Sequence, residues 1–257
     1  MASGNSIFRL AILLVLLVLF TEAAAWSNSS SAKTFDWGCI EKEREALIKF
    51  KKGSIFRVPW GNLHHLSYLD LDSNKLGGDL PDSLCYLGNL QYLQLSDNSI
   101  VGPLPTSIGN LSLLRLVDLS LNMINGVIPK SIGKLANLMG IILKNNAVSG
   151  PIPSNIGHEL TEMAGLDLSG NILNGSIPPS MTEMKELMIL DLSSNSLSGA
   201  IPSKWQSLKL LEYMDLSNNS FSGGIPSSIC SLPSREWLKL GYNNLSEELS
   251  LTLQHCI

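Results

Sequence analysis

The 257-residue sequence predicts an α/β solenoid, and three observations carry that prediction. An asparagine recurs at Asn74, Asn98, Asn122, Asn146, Asn171, Asn195, Asn219 and Asn243, each step being 24 residues except one of 25. Apolar side chains stand in fixed columns around each of these asparagines. A glycine and then a Leu/Ile-Pro pair follow in every repeat but the last. A fixed period in this range marks a stack of coils, each burying its apolar face only against its neighbours.

Each repeat opens on a strand. Leucine stands three residues before the asparagine throughout, from Leu71 to Leu240. Five residues before it are Leu69, Leu93, Val117, Ile141, Leu166, Leu190, Met214 and Leu238. Apolar residues two apart with polar ones between describe a short half-buried strand. Eight such strands stacked in parallel make a sheet roughly 38 Å long. The asparagine follows, where the chain turns inward. Its amide carries two donors and an acceptor, enough to pair with backbone groups of its own and the next coil.

Beyond the turn come Gly78, Gly102, Gly126, Gly150, Gly175, Gly199 and Gly223, four residues past the asparagine. Leu80-Pro81, Leu104-Pro105, Ile128-Pro129, Ile152-Pro153, Ile177-Pro178, Ile201-Pro202 and Ile225-Pro226 come next. Glycine allows backbone angles closed to other residues, and proline forces the residue before it to be extended. A turn, a short extended piece and a loose helical stretch, as at Ile108-Gly109-Asn110-Leu111, complete the coil. The 25-residue step, around His158-Glu159-Leu160, predicts a shifted loop.

The pattern LxxLxLxxNxLxGxIPxxIGxL over residues 58–257 resembles the plant-type, extracellular leucine-rich repeat. Cys39-Ile-Glu-Lys-Glu-Arg-Glu-Ala-Leu-Ile-Lys-Phe-Lys-Lys resembles the start of the N-terminal cap of plant leucine-rich-repeat receptor-like proteins. The resemblance implies a right-handed solenoid with a concave parallel β-sheet and short 3-10 or helical turns on the convex side. It also implies a partial N-terminal cap helix and a second short sheet from the Gly-x-Ile-Pro segments. The expected organisation is a signal peptide over 1–25, an incomplete cap over 26–57, and about eight repeats over 58–257 with no C-terminal cap. In the family the cap runs on past Lys52, whereas Val58-Pro59-Trp60-Gly61-Asn62-Leu63 reads as the tail of a repeat, so the expectation is a chain shortened by deletion.

Arg9, the apolar run Leu10–Phe20 and Ala23-Ala24-Ala25 read as a secretory signal, too short to span a bilayer. Asn28, Asn110, Asn174, Asn218 and Asn244 are glycosylation sequons; Asn110 and Asn174 are expected outside the strands, and Asn218 at a strand end. A secreted chain, at the cell wall or cell surface, is the consequence; the full-length family is anchored in the plasma membrane. Net charge of −4 gives no field for nucleic acid. Cys85 and Cys230 hold one offset in repeats too far apart to bridge. Cys39–Cys85 and Cys230–Cys256 pairings stay open.

Candidate binding residues are those pointing out of the strands. Asp70, Asp118, Asp167, Asp191 and Asp215 form a column, the last three on consecutive strands and hence about 5 Å apart. They would capture a cationic peptide or a metal ion; the simpler reading is an ordinary strand sequence with solvated carboxylates. Tyr68 and Tyr92 share an offset, while Glu212, Tyr213, Glu236, Trp237, Lys239 and Tyr242 cluster in the last two repeats, and exposed aromatics favour protein contacts. Met139 and Ile142 suggest an apolar patch. His64, His65, His158 and His255 are scattered, and no nucleophile motif, phosphate loop, metal spacing or cofactor signature appears.

These readings point to a non-catalytic recognition module. As the family implies, it would bind a protein or peptide ligand on the concave face in defence or developmental signalling, with a co-receptor kinase as partner. A secreted inhibitor of cell-wall-degrading enzymes, such as polygalacturonase, and an inactive truncated product are the alternatives.

Overall fold

The computed structural model describes residues 63–229, 231–232 and 236–246. The cap segment, the signal segment, Cys39, Cys230, Cys256, Asn28 and His255 lie outside them. Each repeat contributes one strand to a parallel eight-stranded sheet. These are β1 (Tyr68–Asp70), β3 (Tyr92–Gln94), β5 (Leu116–Asp118), β7 (Gly140–Ile142), β9 (Gly165–Asp167), β11 (Ile189–Asp191), β13 (Tyr213–Asp215) and β15 (Trp237–Lys239), in that spatial order. The register is one repeat per strand, so Leu69 pairs with Leu93 and Leu190 with Met214. The column five before the asparagine faces the core; the leucine three before it falls just past the strand and from Leu95 to Leu216 is buried as well.

The turn after each strand has a feature that residue type signals in only half of the repeats. Ser73, Asp97, Leu121, Asn145, Gly170, Ser194, Asn218 and Tyr242, each immediately before a ladder asparagine, all have φ between 53° and 65°. That left-handed conformation reverses the chain into the core. The asparagine then locks it. Asn122 Nδ2 donates to the carbonyls of Leu119 and Ser120 in its own coil, at 3.1 Å each, and of Leu95 in the preceding coil at 2.9 Å. Its Oδ1 accepts from Ile100 N–H at 2.9 Å. The same bonds recur at Asn98, Asn146, Asn171, Asn195, Asn219 and Asn243. Asn74 bonds Leu71 and Asp72 carbonyls of its own coil. The amides therefore reach back to the preceding coil rather than forward to the next, because the left-handed residue turns each side chain toward the coil already laid down.

The second layer is built from the residues after the asparagine together with the start of the Gly-x-Ile-Pro segment, whose glycine and next residue lie in β2, β4, β8 and β12, while the Ile-Pro pair falls beyond the strands. A three-stranded sheet of β2 (Gly77–Asp79), β4 (Ser99–Pro103) and β6 (Met123–Asn125) precedes a five-stranded one. The latter holds β8 (Ser149–Pro151), β10 (Ile172–Gly175), β12 (Ser196–Ala200), β14 (Ser220–Gly223) and β16 (Asn244–Leu245). A single bridge, Val127 to Ser149, connects the two. Asn174, expected outside the strands, lies within β10, and its side chain is exposed because it alternates with the buried Leu173.

Directly after most of these prolines a 3-10 turn begins, for example Thr106–Asn110 and Lys130–Lys134. The 25-residue repeat uses its extra residue to close an α-helical turn instead, α1 (Ile156–Glu159). These turns stack tightly: a Cβ on Gly157 would lie 1.9 Å from the Ser180 carbonyl oxygen, and one on Gly109 2.5 Å from that of Ser131. Glycine is required there by close approach. Between the layers runs one apolar core, from Leu63 to Leu232, with Trp205 and Phe221 its largest fully buried members. Cys85 sits in it with a free thiol.

Candidate functional site

Two outward columns flank the buried middle residue of each long-sheet strand. The first runs Tyr68, Tyr92, Leu116, Gly140, Gly165, Ile189, Tyr213, Trp237; the second runs Asp70, Gln94, Asp118, Ile142, Asp167, Asp191, Asp215, Lys239. Neighbours in a column lie on adjacent strands, about 5 Å apart.

The expectation of solvated carboxylates fails at three of these positions. Asp167, Asp191 and Asp215 are only 2%, 5% and 5% exposed. Each bends back onto its own turn. Asp167 Oδ1 accepts from Ser169 N–H at 3.0 Å and Ser169 Oγ at 2.6 Å; Asp191 does the same with Ser193, Asp215 with Ser217 and Asp118 with Ser120. One oxygen of each carboxylate thus holds the turn and fixes where the other can point. Their second oxygens fare differently. Asp215 Oδ2 meets Lys239 Nζ at 3.1 Å and accepts from Tyr213 Oη at 3.2 Å. Asp167 Oδ2 is buried with no hydrogen-bond partner.

The electrostatics follow the geometry. Burial pushes the Asp167 carboxyl up to about 7, with the neighbouring Asp191 charge adding to it, while the Ser169 hydrogen bonds and Lys144 pull the other way. Burial likewise raises Asp191, opposed by Ser193 and reinforced by Asp215. Asp118 is raised by burial against the Ser120 bonds.

Tyr213, Asp215 and Lys239 form one connected group. Lys239 Nζ donates to Tyr213 Oη at 3.0 Å and lies 5.2 Å from the centre of its ring. Burial pushes the Tyr213 hydroxyl up to about 12, against the pull of Lys239, and the bond to Tyr213 followed by Asp215 raises the lysine. Trp237 pairs in register with Tyr213 and is 45% exposed, so an aromatic surface borders the group. Tyr242 does not join it: it occupies the left-handed turn and is 85% exposed.

At the other end Tyr68 and Tyr92 stack at 5.8 Å between ring centres, tilted by 47°. Tyr68 Oη bonds Gln94 Oε1 at 2.5 Å, and burial together with Asp70 raises that phenol. Met139 and Ile142 are half-buried, and Met139 borders an open groove of about 600 Å³ with Gln91, Arg115 and Glu162. His64 and His65 pack on each other, and His158 pairs with Glu183 at the surface. Asn110, Asn218 and Asn244 are exposed, as a glycan acceptor must be. Among the described residues no cluster of His, Cys, Asp or Glu could hold a metal ion, and no helix is long and apolar enough to cross a membrane.

Leucine-rich-repeat family models match residues 65–87, 89–111, 161–221 and 185–245. No curated protein matches the chain. Among solved structures, the ectodomain of the receptor kinase GASSHO1/SCHENGEN3 from Arabidopsis thaliana, in complex with CASPARIAN STRIP INTEGRITY FACTOR 2, is 37% identical over 76% of this chain and 24% of its own, with a TM-score of 0.73. The Arabidopsis receptor kinase HAESA, in complex with the peptide hormone IDA and the co-receptor SERK1, is 36% identical over 76% of this chain and 32% of its own, with a TM-score of 0.73. A plant ice-binding protein is 27% identical over 76% of this chain and 70% of its own, with a TM-score of 0.62. The chain spans about a third or less of the two receptor chains. It belongs to the leucine-rich-repeat family, with a solenoid of the plant receptor-ectodomain type.

Proposed function

We propose that this chain is a non-catalytic, extracellular recognition module that binds a peptide or protein on the outward face of its eight-stranded sheet. The observation that carries the reading is the contrast between the two layers. The long sheet presents chemically individual side chains, with Tyr68 and Tyr92 at one end and Tyr213, Trp237 and Lys239 at the other. The five-stranded second sheet carries no charged residue and offers mainly serine, asparagine and glycine. Aromatic anchors beside a positioned charge are what a specific interface uses. The complex of HAESA with a peptide hormone and a co-receptor supports a peptide as ligand and a co-receptor as second partner, which we place in defence or developmental signalling. Glycans on Asn110, Asn174, Asn218 and Asn244 accompany the secreted form.

Selection from a displayed random-peptide library tests this. Binders chosen on the full chain should lose roughly tenfold or more in affinity on Trp237→Ala, as an exposed aromatic anchor does, and little on Ile172→Ser in the second sheet. The opposite pattern would overturn the reading.

A further inference from the structure

One step of the carboxylate row is chemically incomplete, and the chain itself shows what completes such a step. At Asp215 the Oδ2 oxygen, turned away from its serine, is met by the ammonium of Lys239 from the same column of the next strand. Two strands away Asp167 has the same Oδ1 bonds to its serine and the same burial, yet its Oδ2 has no partner. A buried carboxylate oxygen left this way is strongly disfavoured unless a cation or donor reaches it. The charges that act on it are Asp191, which opposes its ionisation, and Lys144, which favours it.

An uncrowded position stands beside it. Gly165 is two residues before Asp167 on β9, on the same outward side, and a Cβ built there would meet nothing within 4 Å. Its neighbour in the column, Gly140, is covered instead by Leu116, whose Cδ1 would lie 2.6 Å from such a Cβ. The open space above Gly165 is therefore a notch in the outward column, between Gly140, which Leu116 covers, and Ile189, with Asp167 beside it on the same strand and Asp191 on the next. The chemistry there suits a hydrogen-bonding organic cation rather than a bare metal ion, since no metal-holding cluster exists among the described residues.

We infer that the notch at Gly165 seats the ammonium or guanidinium group of a basic side chain on the bound peptide, held by Asp167 and Asp191 as Lys239 is held by Asp215. The inference rests on the long-sheet face being the recognition surface, and names the chemistry that face selects.

Heptapeptides selected from a displayed random library on the full chain should carry lysine or arginine at one fixed position. Replacing that residue by norleucine in a synthetic copy should weaken binding roughly tenfold or more, the scale of one charge-assisted hydrogen bond. In Asp167→Asn, which keeps the Oδ1 acceptor for Ser169, the base should no longer matter. In Gly165→Val, which fills the notch without touching a carboxylate, it should matter equally little. A basic residue equally effective in both variants, or binders with no basic position, would overturn the inference. If such binders are still lost on Trp237→Ala, the recognition face stands without its cation notch. Binders insensitive to every long-sheet change would remove both.

Discussion

Asn122 reaches back 27 residues to place its Nδ2 2.9 Å from the Leu95 carbonyl, and that contact joins one coil to the coil before it. Replacing Asn122 by leucine removes the donor to Leu95, Leu119 and Ser120 and the acceptor for Ile100 N–H in a site nearly closed to water. We expect a loss of about 3 kcal/mol, because more than one buried backbone group loses its partner. Chemical denaturation checks it; an unchanged midpoint would show that the ladder is dispensable.

Close stacking on the opposite side makes an independent prediction. Gly157→Ala should destabilise by about 2 kcal/mol or more, since its Cβ would overlap the Ser180 carbonyl and the coils would have to part. Gly165→Ala, where the added methyl meets nothing, should shift the melting temperature little. Equal effects of the two would refute the stacking argument.

The repeat was plain in the sequence because it rests on residue types that do one thing. Asparagine at 24-residue spacing, glycine four beyond it and the leucine columns each answer to a backbone requirement. The glycines do take φ between 72° and 94°. The left-handed residue before each asparagine was only half legible: Asp97, Asn145, Gly170 and Asn218 are types that favour it, whereas Ser73, Leu121, Ser194 and Tyr242 are not. The burial of Asp167, Asp191 and Asp215 was not legible, since it depends on how serines two residues on and side chains on adjacent strands close over them. The Tyr213–Asp215–Lys239 group did leave a signal, since Lys239 stands in the carboxylate column where an aspartate would be its neighbour's repulsive partner.

That group gives the third prediction. Lys239→Met leaves Asp215 buried with only the tyrosine hydroxyl on its second oxygen. A fully buried broken pair costs more, but Lys239 is 46% exposed and water can partly replace it. We expect a loss of about 1–2 kcal/mol, recovered largely in Lys239→Met with Asp215→Asn. No recovery in the double variant would mean the lysine acts by packing alone.

Acidification should stabilise this array. An unfolded Asp167 titrates near 4, whereas in the folded chain burial holds it near 7, so between these values the folded state keeps a proton that the unfolded state releases. Stability therefore falls as pH rises through that window. Asp118 and Asp191 are shifted in the same direction. The raised lysine loses its contribution only at far more alkaline pH. The melting temperature should be higher at about pH 5 than at about pH 8. Asp167→Asn, neutral throughout, should exceed wild type at the higher pH and match it at the lower. A pH-independent difference would contradict the assignment.

Photo-crosslinking tests the recognition face most directly. A benzophenone-bearing peptide selected on the chain would be irradiated in complex, and the adducts located by mass spectrometry. The account predicts adducts at Met139, Tyr213 or Trp237, along the outward side of the long sheet. Adducts confined to Met123, Val127 or Ile172, on the second-sheet side, would contradict it.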